Sequence, residues 1–355
     1  MIPKGLTLRG VLFISYCLFL TSIRGYAQDD SHAIGLYNDG LYGRAIEEFH
    51  KLIKANKHDT AAYIYSALAK EVIKDYDGAK HDFKKVVKLR PNDAAAHFKM
   101  GVIYTETEDY YHSIREFTKS ILLDPSDAVT FNNRGNSEFV VGDTKSALED
   151  FDNAIKLDSG YADPYYNKAN IKMRFGDYKA AITDFSIAIG LMPTDADAYF
   201  NRGEAYDILN DDTDAVADYD NVILIDSSFT DAFYSRGMDR LKLHNAQGAA
   251  DDFTQVIKAD SSAYHVYYLR GTAYDSIGKY YEAIQDFNYV IEQTGNYAPD
   301  GKSYFGRGYA YLKVGSTDQA CRDFHTAYYN GIYEADNYID KNCRPQKKKR
   351  QFIQR

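Results

Sequence analysis

Residues 131–151 contain Phe131-Asn132-Asn133-Arg134-Gly135-Asn136, then Gly142-Asp143, then Ala147-Leu148-Glu149-Asp150-Phe151. Ala147 and Phe151 stand four apart, a spacing that puts both on one helix face. Gly142-Asp143 marks a turn between two helices. The stretch therefore predicts a helix–turn–helix. Gly135 lets the two backbones approach closely, and the ring of Phe151 fills the space beside them.

The aromatic recurs every 34 residues at Phe49, Phe83, Phe117, Phe151, Phe185, Tyr219, Phe253 and Phe287, and Phe324 follows after 37. Four residues before each stands a small residue: Ala45, Ala79, Ser113, Ala147, Ala181, Ala215, Ala249, Ala283 and Ala320. Twelve residues earlier stands another: Ala33, Ala67, Gly101, Gly135, Ala169, Gly203, Gly237, Gly271 and Gly308. Tyr104, Tyr206, Tyr274 and Tyr311 follow that row by three residues where the pattern keeps them. A fixed period in the thirties means stacked copies of one small unit, with function spread over a continuous surface. Connectors such as Arg90-Pro91-Asn92-Asp93, Asp124-Pro125-Ser126-Asp127 and Met192-Pro193-Thr194-Asp195 combine a helix-stopping Pro with a capping Asp.

With these rows in place, the chain resembles the tetratricopeptide repeat (TPR), a 34-residue helix–turn–helix unit, over about residues 29–328. The resemblance implies an all-α, right-handed superhelical solenoid of nine units, with first helices lining the concave side. A capping helix is expected after the last unit, within a single array at 28–343, because a terminal unit needs a water-tolerant outer face.

Residues 1–27 stand outside the beat. Lys4 and Arg9 precede an uncharged apolar run at 11–23, and Gly25-Tyr26-Ala27 precedes Gln28. This is the pattern of a signal peptide cleaved after Ala27. An N-terminal anchor is the alternative, although 13 apolar residues fall short of the roughly 20 that span a bilayer. The expected location is the bacterial periplasm or envelope, or the secreted fraction. Cleavage would remove Cys17 and leave Cys321 and Cys343, which an oxidising compartment would pair as a disulfide across two antiparallel helices. Residues 344–355 carry Arg344, Lys347, Lys348, Lys349, Arg350 and Arg355 with no acid, the composition of a disordered basic tail.

The chain has formal charge −9. Removing the three basic residues of the signal and the six of the tail leaves the repeat body at −18. An acidic body disfavours nucleic acid and steers cationic partners. There are 33 Tyr and no Trp. An acid precedes every second-helix aromatic, as at Asp150, Asp218 and Asp286. Arg134, Arg202, Arg236, Arg270 and Arg307, with Lys168 among them, precede the first-helix small residue. Recurrence of both signs predicts Arg–Asp pairs that hold helices in register.

The remaining first-helix positions supply the candidate site. Asn133, Asn167 and Asn201 stand two before the small row, and Asn136 and Asn170 one after it. An amide donates and accepts, so a ladder of them suits an extended peptide backbone. It resembles the asparagine ladder of O-linked N-acetylglucosamine transferases, over three units only. Beside it run Phe98, Tyr166, Phe200, Tyr234, Tyr268 and Phe305, which could anchor partner side chains or pack against a neighbouring unit. Carboxylate-clamp repeats pair such Asn with Lys and Arg. The matching places here hold Asn132, Asp197 and Asn201, so an acidic tail is a poor ligand. Asp163, Asp197 and Asp231 recur near the first-helix starts, as caps or as a bias toward cations.

Catalytic motifs are missing: no phosphate-binding Gly loop, G-x-S-x-G or H-E-x-x-H occurs, and the cysteines form no C-x-x-C. Asp211-Asp212-Thr213-Asp214 lacks the spacing and Gly of a calcium loop and is expected to be an acidic turn. No enzyme, cofactor or metal is expected. The expected function is a protein-interaction scaffold taking a peptide or partner protein in the concave groove, with the acidic body favouring a cationic one. A structural subunit using edges or convex faces, or a glycan-binding module using surface Tyr, are the alternatives.

Overall fold

The structure, a computed structural model, describes residues 30–295 and 300–343. The expected signal peptide, the basic tail and most of the break in the beat at 296–301 lie outside the described residues. Helices account for nearly everything described, and no strand is among them.

The helices pair as hairpins. Ser31–Asn38 and Tyr42–Ala55 (α1, α2) begin the series, followed by Thr60–Val72 and Tyr76–Leu89 (α3, α4). Next come Ala94–Glu106 with Tyr110–Leu123 (α5, α6), Ala128–Val140 with Thr144–Leu157 (α7, α8) and Ala162–Arg174 with Tyr178–Leu191 (α9, α10). These make an N-terminal unit that ends at Pro193. The C-terminal unit starts at Thr194 and holds Ala196–Ile208 with Asp212–Ile225 (α11, α12) and Thr230–Lys242 with Ala246–Ala259 (α13, α14). Tyr264–Ser276 with Tyr280–Thr294 (α15, α16), Gly301–Lys313 with Thr317–Tyr329 (α17, α18) and a last helix, Ala335–Asn342 (α19), complete it.

Ends of helices follow the local chemistry. Asp59, Asp93, Asp127 and Asp195 each accept a capping bond from a first-turn N–H of the following helix. Turns inside hairpins need a left-handed residue: Gly142 (φ 93°) and Gly176 (φ 80°) supply it freely, whereas Lys74, Glu108, Asn210 and His244 adopt it near 60°. Asp163, Asp197 and Asp231 are not caps, a correction to one of the two sequence readings. They lie inside the first turns of α9, α11 and α13, where the helix dipole favours a negative charge.

Every second-helix aromatic of the beat is at most 1% exposed. A Cβ added at Gly101 would sit 2.6 Å from the Phe117 ring, and one at Gly203 2.8 Å from that of Tyr219. Glycine is required there because a side chain on the facing helix would strike the ring. The aromatic row of the first helices meets the same rings from the other side. Phe98–Phe117, Tyr166–Phe185, Phe200–Tyr219, Tyr268–Phe287 and Phe305–Phe324 have centroids 5.6 to 5.9 Å apart, and Tyr234–Phe253 6.3 Å. Tyr166, Phe200 and Tyr234 are thus part of their own hairpin's core. Tyr166 is fully enclosed, whereas Phe200 and Tyr234 are half-buried and also meet Phe229 and His265 of the following repeat, the packing alternative of the sequence reading.

The charged rows also close within hairpins. Arg134 grips Asp150 through two parallel bonds of 2.7 and 2.8 Å, and Arg202–Asp218, Arg236–Asp252, Arg270–Asp286 and Arg307–Asp323 repeat the fork. Tyrosines flank several forks: the Arg270 guanidinium lies 5.3 Å from Tyr267 and 5.7 Å from Tyr274, and Arg307 likewise meets Tyr304 and Tyr311. Part of the tyrosine excess serves these sandwiches. Lys168 departs from the expected row. It reaches Asp152 (2.5 Å), and Lys172 takes Asp184 (2.6 Å), because an ammonium cannot reproduce the planar fork.

At the C-terminal end the sulfurs of Cys321 and Cys343 are bonded, with Cα atoms 5.6 Å apart. Cys321 lies early in α18 and Cys343 just after α19, so the two helices run antiparallel. Tyr338 of α19 stacks on Phe324 (5.0 Å) and meets Phe305 edge-on (5.5 Å), which seals the last hairpin.

Candidate functional site

In the N-terminal unit the first helices of repeats four and five, α7 and α9, carry a row of amides. Asn132, Asn133, Asn136, Asn167 and Asn170 are all buried. Asn133 Nδ2 donates to the Val129 carbonyl one turn back (2.9 Å). Asn167 Nδ2 donates to Asn132 Oδ1 (3.0 Å), and Asn132 Nδ2 donates to the Tyr161 hydroxyl (3.2 Å), so part of the ladder ties repeat four to repeat five. Asn201, also buried, belongs to the C-terminal unit.

The C-terminal unit presents carboxylates instead. Asp207 lies in the last turn of α11, Asp212 opens α12, and Asp239 and Lys242 lie in the last turn of α13. Acids at helix C-termini oppose the dipole and need compensation. Lys242 provides it: its ammonium donates to Asp207, to Asp239 (2.7 Å) and to Asp212 (2.9 Å), across two repeats. The three carboxylates have oxygens within 4.8 Å of one another, and the ammonium takes the place that a cation would fill.

The cluster is half open. Lys242 and Asp207 side chains are 42% and 40% exposed, whereas that of Asp239 is 2% exposed. Burial works against the Lys242 charge, but bonds to Asp207, Asp239 and Asp212 outweigh it and raise the pKa. Burial pushes the Asp239 carboxyl up to about 7, with Asp207 adding to the shift and Lys242 opposing it. Glu204, one turn before Asp207, is also pushed up to about 7, by burial and then by Asp207 and Asp231. Glu204 therefore senses an acid of the next repeat, and no cation offsets it. Asp275 of α15 repeats the theme: burial raises it to about 6, and Lys313 of α17 opposes the shift. One slot thus recurs along the array, from the end of one first helix to the end of the next. Asp207 meets Lys242 there and Asp275 faces Lys313, while in the N-terminal unit Arg174 lies 5.2 Å from the Phe139 ring.

Sequence reasoning passed over this cluster because its members are scattered at 207, 212, 239 and 242. A separation of 35 between Asp207 and Lys242, one more than the period, was the available signal. The Asp211–Asp214 acids were expected to be a turn. Asp212 and Asp214 are in fact in the first turn of α12, and Asp212 has a partner in the following repeat.

Family models described as tetratricopeptide repeat match residues 94–127, 166–228 and 234–299. The chain is a TPR protein. Among solved structures, the C-terminal part of a TPR repeat-containing protein from Cytophaga hutchinsonii aligns at 16% identity and TM-score 0.56, over 70% of this chain and 98% of that one. A TPR protein from Parabacteroides merdae aligns at 17% identity and TM-score 0.45, over 71% and 99%. A MamA structure aligns at 26% identity and TM-score 0.43, over 47% and 92%. No curated protein matches the sequence. TPR arrays present extended binding surfaces, so the fold supports a protein-interaction scaffold.

Proposed function

We propose that this TPR array is an exported scaffold that receives a cationic segment of a partner protein on the first-helix face of its C-terminal unit. The observation that carries the proposal is the carboxylate cluster around Lys242, with Glu204 and Asp231 adding acid beside it. Three carboxylates already hold one ammonium there, the arrangement that a second lysine or arginine would seek. The separation of charge supports the same reading. Residues 194–343 carry 25 acidic and 12 basic side chains, a net of −13, against 25 and 21, a net of −4, for residues 30–193.

The export part rests on the basic, apolar and small-residue pattern of residues 1–27. N-terminal sequencing of the envelope fraction is expected to begin at Gln28.

Binding is tested by pull-down from envelope extract with two full-chain variants. Glu204→Gln with Asp207→Asn and Asp231→Asn is expected to lose basic partners at low salt while the helical signal is kept. Asn133→Ala with Asn167→Ala and Asn201→Ala is expected to retain them. The carboxylate reading fails if the first variant keeps every partner, or if only the second loses them.

A further inference from the structure

The second helices carry a charge pattern of their own on the side away from the hairpin core. At about 100° per residue, the positions five and two before the buried ring, and two and five after it, fall opposite that ring. In α2, built on Phe49, these positions hold Arg44, Glu47, Lys51 and Lys54. In α4, built on Phe83, they hold Gly78, His81, Lys85 and Lys88. In α6, built on Phe117, they hold His112, Arg115, Lys119 and Leu122. Seven Lys and Arg thus stand against one acid on three consecutive second helices. The same positions of the six second helices from α8 to α18 hold three Lys or Arg and five acids. The stripe is basic even though residues 30–193 carry a net charge of −4.

Most of these charges are free to act. Arg44, Lys54, Lys85, Lys88 and Arg115 are exposed, and among the described residues none of them forms an ion pair. Lys51 and Lys119 each lean on an acid of their own helix, Glu48 (2.7 Å) and Glu116 (2.8 Å). The other acids of α4 are engaged elsewhere, Asp82 with buried Lys70 and Asp77 with Lys80. Leu122 takes the next place in the row of Lys54 and Lys88 and is 78% exposed.

We propose that this stripe of α2, α4 and α6 docks the protein on the surface of a membrane rich in anionic phospholipid. The proposal is independent of the carboxylate reading, which concerns the other unit and its first helices. Three features select a lipid surface. Five of the seven cations are lysines, point charges on flexible stems, whereas planar recognition of a fixed phosphate favours arginine. The cations are spread over three helices, and lipids diffuse to meet each one, so no spacing has to match. A cluster of about four to eight such cations is what holds a peripheral segment to an anionic leaflet. Leu122 adds apolar surface for the headgroup layer, and the stripe has no Tyr or Phe on which a nucleobase would stack. Among the described residues no helix is long and apolar enough to cross a membrane, so the proposed contact is one of surfaces.

The test uses the chain from Gln28 to Arg355, which holds every described helix, and two variants that each remove three positive charges. Lys54→Gln with Lys85→Gln and Lys88→Gln clears the centre of the stripe. Lys145→Gln with Lys258→Gln and Lys341→Gln removes exposed lysines elsewhere. Vesicles of phosphatidylglycerol and phosphatidylcholine in equal parts are the probe, with phosphatidylcholine vesicles as the neutral control. Co-sedimentation at low salt is expected to show the unaltered chain on the anionic vesicles only. The stripe variant is expected to bind about 100-fold more weakly, and the other variant to change by less than about threefold. No binding by the unaltered chain overturns the proposal. So does an equal effect, or no effect, in both variants, which would place any attraction in net charge or in residues 344–355. Tighter binding of duplex DNA than of anionic vesicles through the same lysines overturns the choice of lipid in favour of nucleic acid. Self-association in sedimentation velocity that the stripe variant abolishes, without vesicle binding, overturns it in favour of a second copy of the chain.

Discussion

The N-terminal and C-terminal units use one core and two surfaces. Both stack a first-helix glycine or alanine on a second-helix ring, and both bury that ring completely, as Phe151 and Phe253 show. Their first-helix faces diverge. Amides of Asn132 and Asn167 bond each other in the N-terminal unit, whereas Asp207, Asp212 and Asp239 crowd one ammonium in the C-terminal unit. Core positions are held by volume and close approach, which tolerate little change. Face positions are constrained only by solvation and charge balance, so each unit can carry its own chemistry.

Replacing a core ring tests the shared half of that comparison. Phe151→Ala and Phe253→Ala should each cost about 3–5 kcal/mol, measured as the shift in a urea unfolding transition. Markedly unequal losses would break the claim of one core in two units. Next in size is the disulfide. The chain-entropy model gives about 3 kcal/mol for a closed loop of this length. Reduction should therefore increase hydrogen exchange in α17–α19 while leaving α1–α10 unchanged, because residues 30–193 contain no cysteine.

The forked pairs sharpen the comparison further. Arg236→Ala strips a buried Asp252 of a two-bond partner and should cost about 2 kcal/mol, less than for an acid left wholly unpaired because Arg240 still donates to Asp252 (2.8 Å). Lys168→Ala removes a bond to the half-exposed Asp152 and should cost under about 1 kcal/mol. A reversal of that order in thermal melts would mean the register is held elsewhere.

A pH effect on the carboxylate face is of similarly small size. Glu204 is held up to about 7 in the folded chain against its usual 4.5, chiefly by burial. Below about 4.5 both folded and unfolded chains hold the proton. Between there and about 7 only the folded chain does. Raising pH through that window therefore lowers stability, by about 1 kcal/mol for a group only partly shielded from solvent. Glu204→Gln should flatten the dependence, and an unchanged slope would place its origin in other acids.

Some of this was legible before any coordinates. The 34-residue beat, the Gly–aromatic spacing and the Arg–Asp rows each name contacts that the structure contains, because they link residues on two helices joined by one short turn. Tyr166, Phe200 and Tyr234 were harder. Their spacing puts them near the Asn row on a helix, but the facing ring of their own hairpin claims them, and sequence alone does not show which side of a small residue the partner ring occupies. The Lys242 cluster was invisible for a related reason: its members come from three helices of two repeats.

The sequence by itself determined the repeat, its hairpin core and the excess of acid after residue 194, since periodicity and charge are properties of the chain. Tertiary structure alone decided where that acid converges. The stacking of hairpins sets which first-helix ends become neighbours, and that choice gathers dispersed surface charges into one site where burial and neighbouring acids raise the proton affinity of Asp239 and Glu204.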